Sequence, residues 1–206
     1  ARTRLLALEN TWGGQVLPLP YIEAATALAQ RRGLARHLDG ARLFNAAVAS
    51  GVKAREITKH FDSVSVCFSK GLGTPAGSAL CGTRDFIARA HRWRKMAGGG
   101  MRQSGVLAAA ALHALDHHVD RLAEDHANAR VLAEGLQGLR GVGVAMPQSN
   151  IVFVDLAPDK PADAVARLRE RGVLVTGIYK VRLVTHLDVS PAQIDSAIAV
   201  LRDVLG

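Results

Sequence analysis

Two charged residues stand out because each ends an apolar, strand-like run. In "SVSVCFSKGLGTPAG", residues 63–77, alternating valines lead through Cys67 and Phe68 to Lys70, and small residues follow. In "LARHLDGAR", residues 34–42, a shorter run closes on Asp39 and Gly40, with Arg42 just beyond. An ammonium at a strand exit is either a solvated cap or an amine held for covalent work on a carbonyl. Asp39 is either the N-cap of a helix starting near Arg42 or a fixed anion facing a ligand with a basic ring nitrogen, whose protonated form an ion pair favours. Arg42 can close a surface salt bridge or lean over the same site from one helical turn. Arg182 sits inside the hydrophobic run "VRLVTH". Its partner is an internal Asp or Glu, or a ligand carboxylate held through two hydrogen bonds.

A carboxylate and a lysine at neighbouring strand ends suit pyridoxal phosphate, with the lysine on the aldehyde carbon and the aspartate on the ring nitrogen. Gly71, Gly73, Pro75 and Gly77 make a loop where backbone can come close to a ligand. "GGGMRQSG", residues 98–105, is a flexible segment whose glycines let backbone amides or Arg102 approach an anion. His113, His117, His118 and His126 fall on or near helices at spacings that include i,i+4. No carboxylate or cysteine completes a metal-binding set, so they read as exposed helical histidines and no metal is expected.

Strands alternate with helices over the first hundred residues, which predicts an α/β layer with a largely parallel sheet. Ligands of such sheets collect at the carboxyl ends of the strands, where Asp39 and Lys70 both fall. After Gly100 the texture changes. Residues 103–139 form an alanine-rich helical stretch, broken near Asp116 to His118. The strands "GVGVA" and "NIVFVDL" follow, then the helix "PADAVARLRERG", the strands "VLVTG" and "VRLVTHL", and a closing helix with Ser190 as N-cap and Pro191 at N1. This order divides the chain into residues 1–116, part of a larger α/β domain, and 117–206, a small α+β domain. The opening residues are already a strand, and a parallel sheet of three or four strands with one face uncovered is thin. The chain is therefore expected to begin within a domain.

At 206 residues, 49% hydrophobic and 21% charged, the chain has a globular composition. No apolar run approaches the ~20 residues that span a bilayer, and the first residues lack a signal-peptide pattern. Cys67 and Cys81 lie in apolar contexts and are expected to be buried as small hydrophobes in a reducing cytoplasm. The net charge of +8 raises nucleic acid as a partner. The cations are spread over helices and mixed with acids, however, and the densest cluster, "RAHRWRK" at 89–95, belongs to no binding motif. A solvated basic surface or an anionic small ligand is the preferred reading, with no nucleic acid and no membrane.

Taken in order, "LEN", "HLDGARLFNAAVASGV", "DSVSVCFSKGLG", "RKMAGGGMRQSGVLAAAAL" and "VRLVTHLDVS" resemble the low-specificity threonine aldolases. These are fold-type I pyridoxal-phosphate enzymes, in the group that includes β-eliminating lyases. The resemblance implies that Lys70 binds the cofactor covalently, Asp39 pairs with the pyridinium nitrogen and Arg42 approaches the phenolic oxygen. Arg182 would hold the amino-acid carboxylate, and Lys95 and Arg102 would lie in a basic stretch near the site. The implied reaction is retro-aldol cleavage of L-threonine or L-allo-threonine to glycine and an aldehyde. The enzyme would be a cytoplasmic homo-oligomer, a dimer or tetramer, serving threonine breakdown and glycine formation. The alternatives are another fold-type I activity such as β-elimination, or a non-catalytic chain that only associates with a partner. The family resembles this chain from its middle onward. A segment carrying the phosphate cup, a ring-stacking residue and histidines near the β-hydroxyl is expected upstream, and the isolated 206 residues are expected to be weak or inactive. The family's "LENTHN" reads "LENTWG" here, with Trp12 and Gly13 in place of a polar pair.

Overall fold

The aliphatic run of β1 (Leu5–Glu9), the segment β2 (Ala35–Gly40) and the alternating serines and valines of β3 (Ser63–Cys67) form three strands that run parallel with β2 in the middle. β4 (Ser78–Gly82) adds to the far side of β3 in the antiparallel sense. The computed structural model describes residues 2–160, 163–178 and 180–206. Its chain forms two compact units. The first comprises the β1 segment through Trp12 together with Val16–Asp120, and the second comprises Gly13–Gln15 with Arg121–Gly206.

In the first unit, period-two alternation sends Val64 and Val66 to one face of the sheet and Ser63, Ser65 and Cys67 to the other. The valine face is closed by α1 (Leu19–Arg31), α2 (Leu43–Ser50) and α3 (Ala54–Thr58). Ile22, Leu38, Leu43, Ala46, Ile57, Val64 and Val66 form its core, and each fully buried leucine or isoleucine there contributes about 1.5–3 kcal/mol. The opposite face carries His37, Asp39, Ser63, Ser65 and Cys67, all partly or fully exposed. On this face His37 Nδ1 lies 2.8 Å from Ser63 Oγ. At the amino ends of the strands, the Arg36 amide and guanidinium both donate to Asp62, tying β2 to the start of β3. The hydrogen bond from Arg36 holds the Asp62 carboxyl below its usual range.

β4 leads to α4 (Arg84–Met96), capped by Thr83, whose hydroxyl accepts from the Phe86 amide. Then comes α5 (Gly105–His117), which buries Ala114 alone among its residues. The expected break in the alanine-rich stretch falls at 118–121, before α6 (Leu122–Leu136).

The second unit folds β5 (Val142–Val144), β6 (Ile151–Leu156) and β7 (Lys180–Val184) into an antiparallel sheet against α6, α7 (Ala164–Glu170) and α8 (Pro191–Leu205). Leu132, Leu136, Val152, Val154, Leu168, Val181, Ile194 and Leu201 make its core. α8 starts with a reciprocal cap: Ser190 Oγ accepts from the Gln193 amide, and Gln193 Oε1 accepts from the Ser190 amide.

Two local expectations are corrected. "VLVTG" forms no strand; it touches β7 through an isolated bridge between Thr176 and Arg182. Cys81 is exposed, because it lies on β4, the edge strand of the sheet, opposite the buried Val64 of β3. Among the described residues, no helix is long and apolar enough to cross a membrane.

Candidate active site

Parallel pairing of β2 with β3 sets Asp39 opposite Ser65, and β3 ends two residues later at Cys67. The chain then turns out of the sheet and presents Lys70 at its exit. The two residues thus stand at the carboxyl ends of neighbouring strands. Both side chains are exposed, so Lys70 ends a half-buried strand but itself stands in solvent.

Asp39 does not cap α2. Its Oδ1 accepts from the Ala41 amide at 3.0 Å, closing a tight turn beyond the strand. That bond orients the carboxylate, and among the described residues nothing donates to Oδ2. Gly40 allows the turn to lie flat on β3: a Cβ there would sit 2.7 Å from the Ser65 carbonyl oxygen. Arg42 becomes the N-cap of α2, with φ −129° and ψ 35°, instead of standing on its first turn. With Asn45, Cys67, Gly71 and Leu72 it lines a small cleft between the start of α2 and the lysine loop.

The loop after Lys70 is knitted by its own backbone. Gly73 N donates to Lys70 O at 2.9 Å, Thr74 N to Phe68 O at 3.2 Å and Phe68 N to Gly77 O at 3.0 Å. Gly71 and Leu72 are buried while Lys70 is not. Among the described residues, no acid or hydrogen-bond acceptor engages the Lys70 ammonium.

The remaining candidates lie further along the chain. Lys95, in the last turn of α4, folds back over the triple glycine, where a Cβ on Gly100 would meet its Nζ at 2.7 Å. Arg102 is exposed in the turn before α5, and residues 91–95 of the basic cluster are exposed throughout. In the second unit, Arg182 is half-buried on β7 opposite Phe153. Its backbone amide donates to Thr176 O at 2.7 Å, and among the described residues no carboxylate pairs with its guanidinium. The internal acid considered for Arg182 is therefore absent among those residues.

Two of the four histidines depart from the exposed-helix expectation. His126 is half-buried, and burial pushes its imidazole below the usual range. His118 is half-buried and donates from Nδ1 to Leu72 O at 2.7 Å. Nothing local in the sequence signals that bond, since its acceptor is a backbone carbonyl 46 residues away. Among the described residues, no group of three or more His, Cys, Asp or Glu side chains is placed to hold a metal ion.

The family model described as beta-eliminating lyase matches residues 1–159. The chain is 52% identical over 194 residues to the low specificity L-threonine aldolase of Escherichia coli K12, covering 94% of this chain and 58% of that protein. It is 43% identical over 202 residues to low-specificity L-threonine aldolase 1 of Arabidopsis thaliana, covering 93% of this chain and 56% of that one. The chain thus spans somewhat over half the length of these relatives. A solved structure of Leishmania major threonine aldolase superposes with a TM-score of 0.81 at 22% identity, over 98% of this chain and 61% of that one, and shows the same fold.

Proposed function

The chain belongs to the beta-eliminating lyase family, and from that premise we propose that it is the lysine-bearing part of a pyridoxal-phosphate-dependent threonine aldolase. The observation that carries this reading is the placement of Asp39 and Lys70 at the carboxyl ends of two hydrogen-bonded parallel strands. Among the described residues, no acceptor engages the Lys70 ammonium, and no donor reaches the second oxygen of Asp39.

The donor set fits the cofactor. Lys70 would hold its aldehyde carbon, Asp39 its ring nitrogen and Arg42 its phenolic oxygen. When bound, pyridoxal phosphate supplies an electron sink for the Cα–Cβ bond of a β-hydroxy-α-amino acid. Asp39 suits the ring nitrogen because the Ala41 amide fixes one oxygen and leaves the other to accept a charged donor. Lys70 suits a carbonyl carbon because its amine has no competing partner among the described residues and the loop behind it is braced. Arg182, with no carboxylate partner among the described residues, offers a planar fork to the substrate carboxylate. Arg102 and Lys95 add positive charge suited to the anionic groups of cofactor and substrate. The substrates proposed are L-threonine and L-allo-threonine, and the products are glycine and an aldehyde.

Exposed Trp93, Met96, Met101, Val106 and Leu112 around α4 and α5 support association into a homo-oligomer, a dimer or tetramer. Free Cys67 and Cys81 suit a reducing compartment such as the cytoplasm.

The test is to add pyridoxal phosphate, reduce with borohydride and map the modified peptide by mass spectrometry. The expected result is an adduct on Lys70 that is lost in Lys70→Ala. Labelling confined to other lysines overturns the assignment. Release of glycine and acetaldehyde from threonine, compared with ammonia and a keto acid, then identifies the reaction.

A further inference from the structure

The backbone bonds within residues 68–77 fix the shape of the lysine loop, and the β3–β4 ladder holds its two ends, but the middle of the loop takes a restraint from elsewhere in the unit. One restraint comes from the end of α5. His118, the C-cap of that helix, bonds its own amide to Ala114 O at 2.8 Å and so rides on a 13-residue rod. Its Nδ1 reaches Leu72 O at 2.7 Å. A carbonyl can only accept, so Nδ1 carries the proton whether the ring is neutral or charged. Leu72 is 3% exposed, which leaves its carbonyl little access to water as a substitute. The ring is steadied in turn by His113, edge-on at 5.3 Å between centroids.

We propose that His118 is a positioning residue for Lys70. By holding the carbonyl two residues downstream, it sets the course of the backbone at the strand exit and hence the direction in which the amine points. This rests on the reading of Lys70 as the cofactor lysine. His118 touches neither cofactor nor substrate; it acts through the loop. Small displacements of a reacting group have large kinetic effects, so loss of the anchor is expected to slow attack by the Lys70 amine on the order of ten- to a hundredfold.

The experiment compares the parent chain with His118→Asn, His118→Gln and His118→Leu, using pyridoxal phosphate as the probe. The Asn amide places a donor near the position of Nδ1, whereas the Gln amide places one near Nε2. The readouts are the rate of borohydride-trapped adduct on Lys70 and hydrogen exchange of the amides of residues 70–74. The expected result is a slow Lys70 adduct and fast exchange in the Gln and Leu variants, with His118→Asn restored to within about threefold of the parent. Adduct rates equal to the parent in all three variants overturn the proposal. So does an Asn variant no better than Gln, since a role in packing alone would not distinguish two polar amides by where the donor lies. Should His118→Leu fail to fold, the Asn and Gln pair carries the same contrast. If the parent itself forms no adduct on Lys70, the cofactor reading fails, and the anchor is judged on hydrogen exchange alone: faster exchange in Gln than in Asn upholds it, and equal exchange refutes it.

Discussion

Asp125, 0% exposed, meets the guanidinium of Arg121 one helical turn earlier, with Nη2 2.7 Å from Oδ1. The pair sits at the start of α6, where the Asp125 backbone carbonyl also accepts the Thr185 hydroxyl at 2.6 Å. Removing one member of such a pair strands the other charge away from water. Arg121→Ala is therefore expected to destabilise by about 3 kcal/mol, whereas replacing both residues with apolar side chains of similar volume is expected to cost much less. Urea unfolding of the parent and the two variants distinguishes the pair's net worth from the penalty of breaking it.

The Asp39 carboxylate is predicted to retain the cofactor. A hydrogen bond to a charged group contributes about 1.5–3 kcal/mol, so Asp39→Ala should raise the pyridoxal phosphate concentration needed for half-maximal Lys70 labelling about 10- to 100-fold. Labelling as a function of concentration measures this directly. An unchanged midpoint would remove Asp39 from the site.

Gly135 shows two effects of opposite sign. Gly→Ala gains about 1 kcal/mol in a helix interior and less at Gly135, one residue from the end of α6. Here a Cβ would lie 2.6–2.9 Å from three side-chain atoms of Ile198 on α8, and overpacking costs about 1–3 kcal/mol. The branched isoleucine has few rotamers in which to retreat, so the clash is expected to win. Gly135→Ala should destabilise, and adding Ile198→Ala should recover part of the loss.

The cap of α8 offers a smaller effect. Ser190→Ala leaves the Gln193 amide without its acceptor and should cost about 1 kcal/mol. Thermal melting reads this as a modest drop in midpoint, while the unit's core of leucines and valines is untouched.

His126 gives the pH dependence a definite sign. Burial lowers its folded-state pKa from the ordinary value of 6.5, with nearby Asp125 opposing the shift and Arg130 adding to it. The unfolded chain therefore takes up the proton more readily than the native one. The stability owed to the neutral ring is full above about pH 6.5 and is lost as pH falls below it. Urea midpoints at pH 7.5 and 5 should differ more in the parent than in His126→Gln.

Sequence periodicity located what depends on local chemistry. The valines and serines of β3 and the Leu38–Gly40 ending of β2 mark where two strands stop, and with them the stations of Asp39 and Lys70. Arg42 was harder to place, because whether it caps or continues α2 depends on the turn closed by the Asp39 carboxylate. "VLVTG" carries a strand's composition, but only Thr176 finds a pairing partner on β7. Cys81 carries a core residue's neighbours, yet it stands exposed on β4. His118 was beyond reach for a different reason. Its acceptor is a main-chain oxygen, which has no residue type to recognise.

The serine–valine alternation of β3 has a further consequence. Because the two sides of that strand differ so sharply, a single inserted residue within 63–67 would turn valine methyls toward water and press hydroxyls into the aliphatic layer. The strand can therefore slide only in steps of two. The amine at its far end keeps its station for reasons settled in the interior, before any ligand arrives.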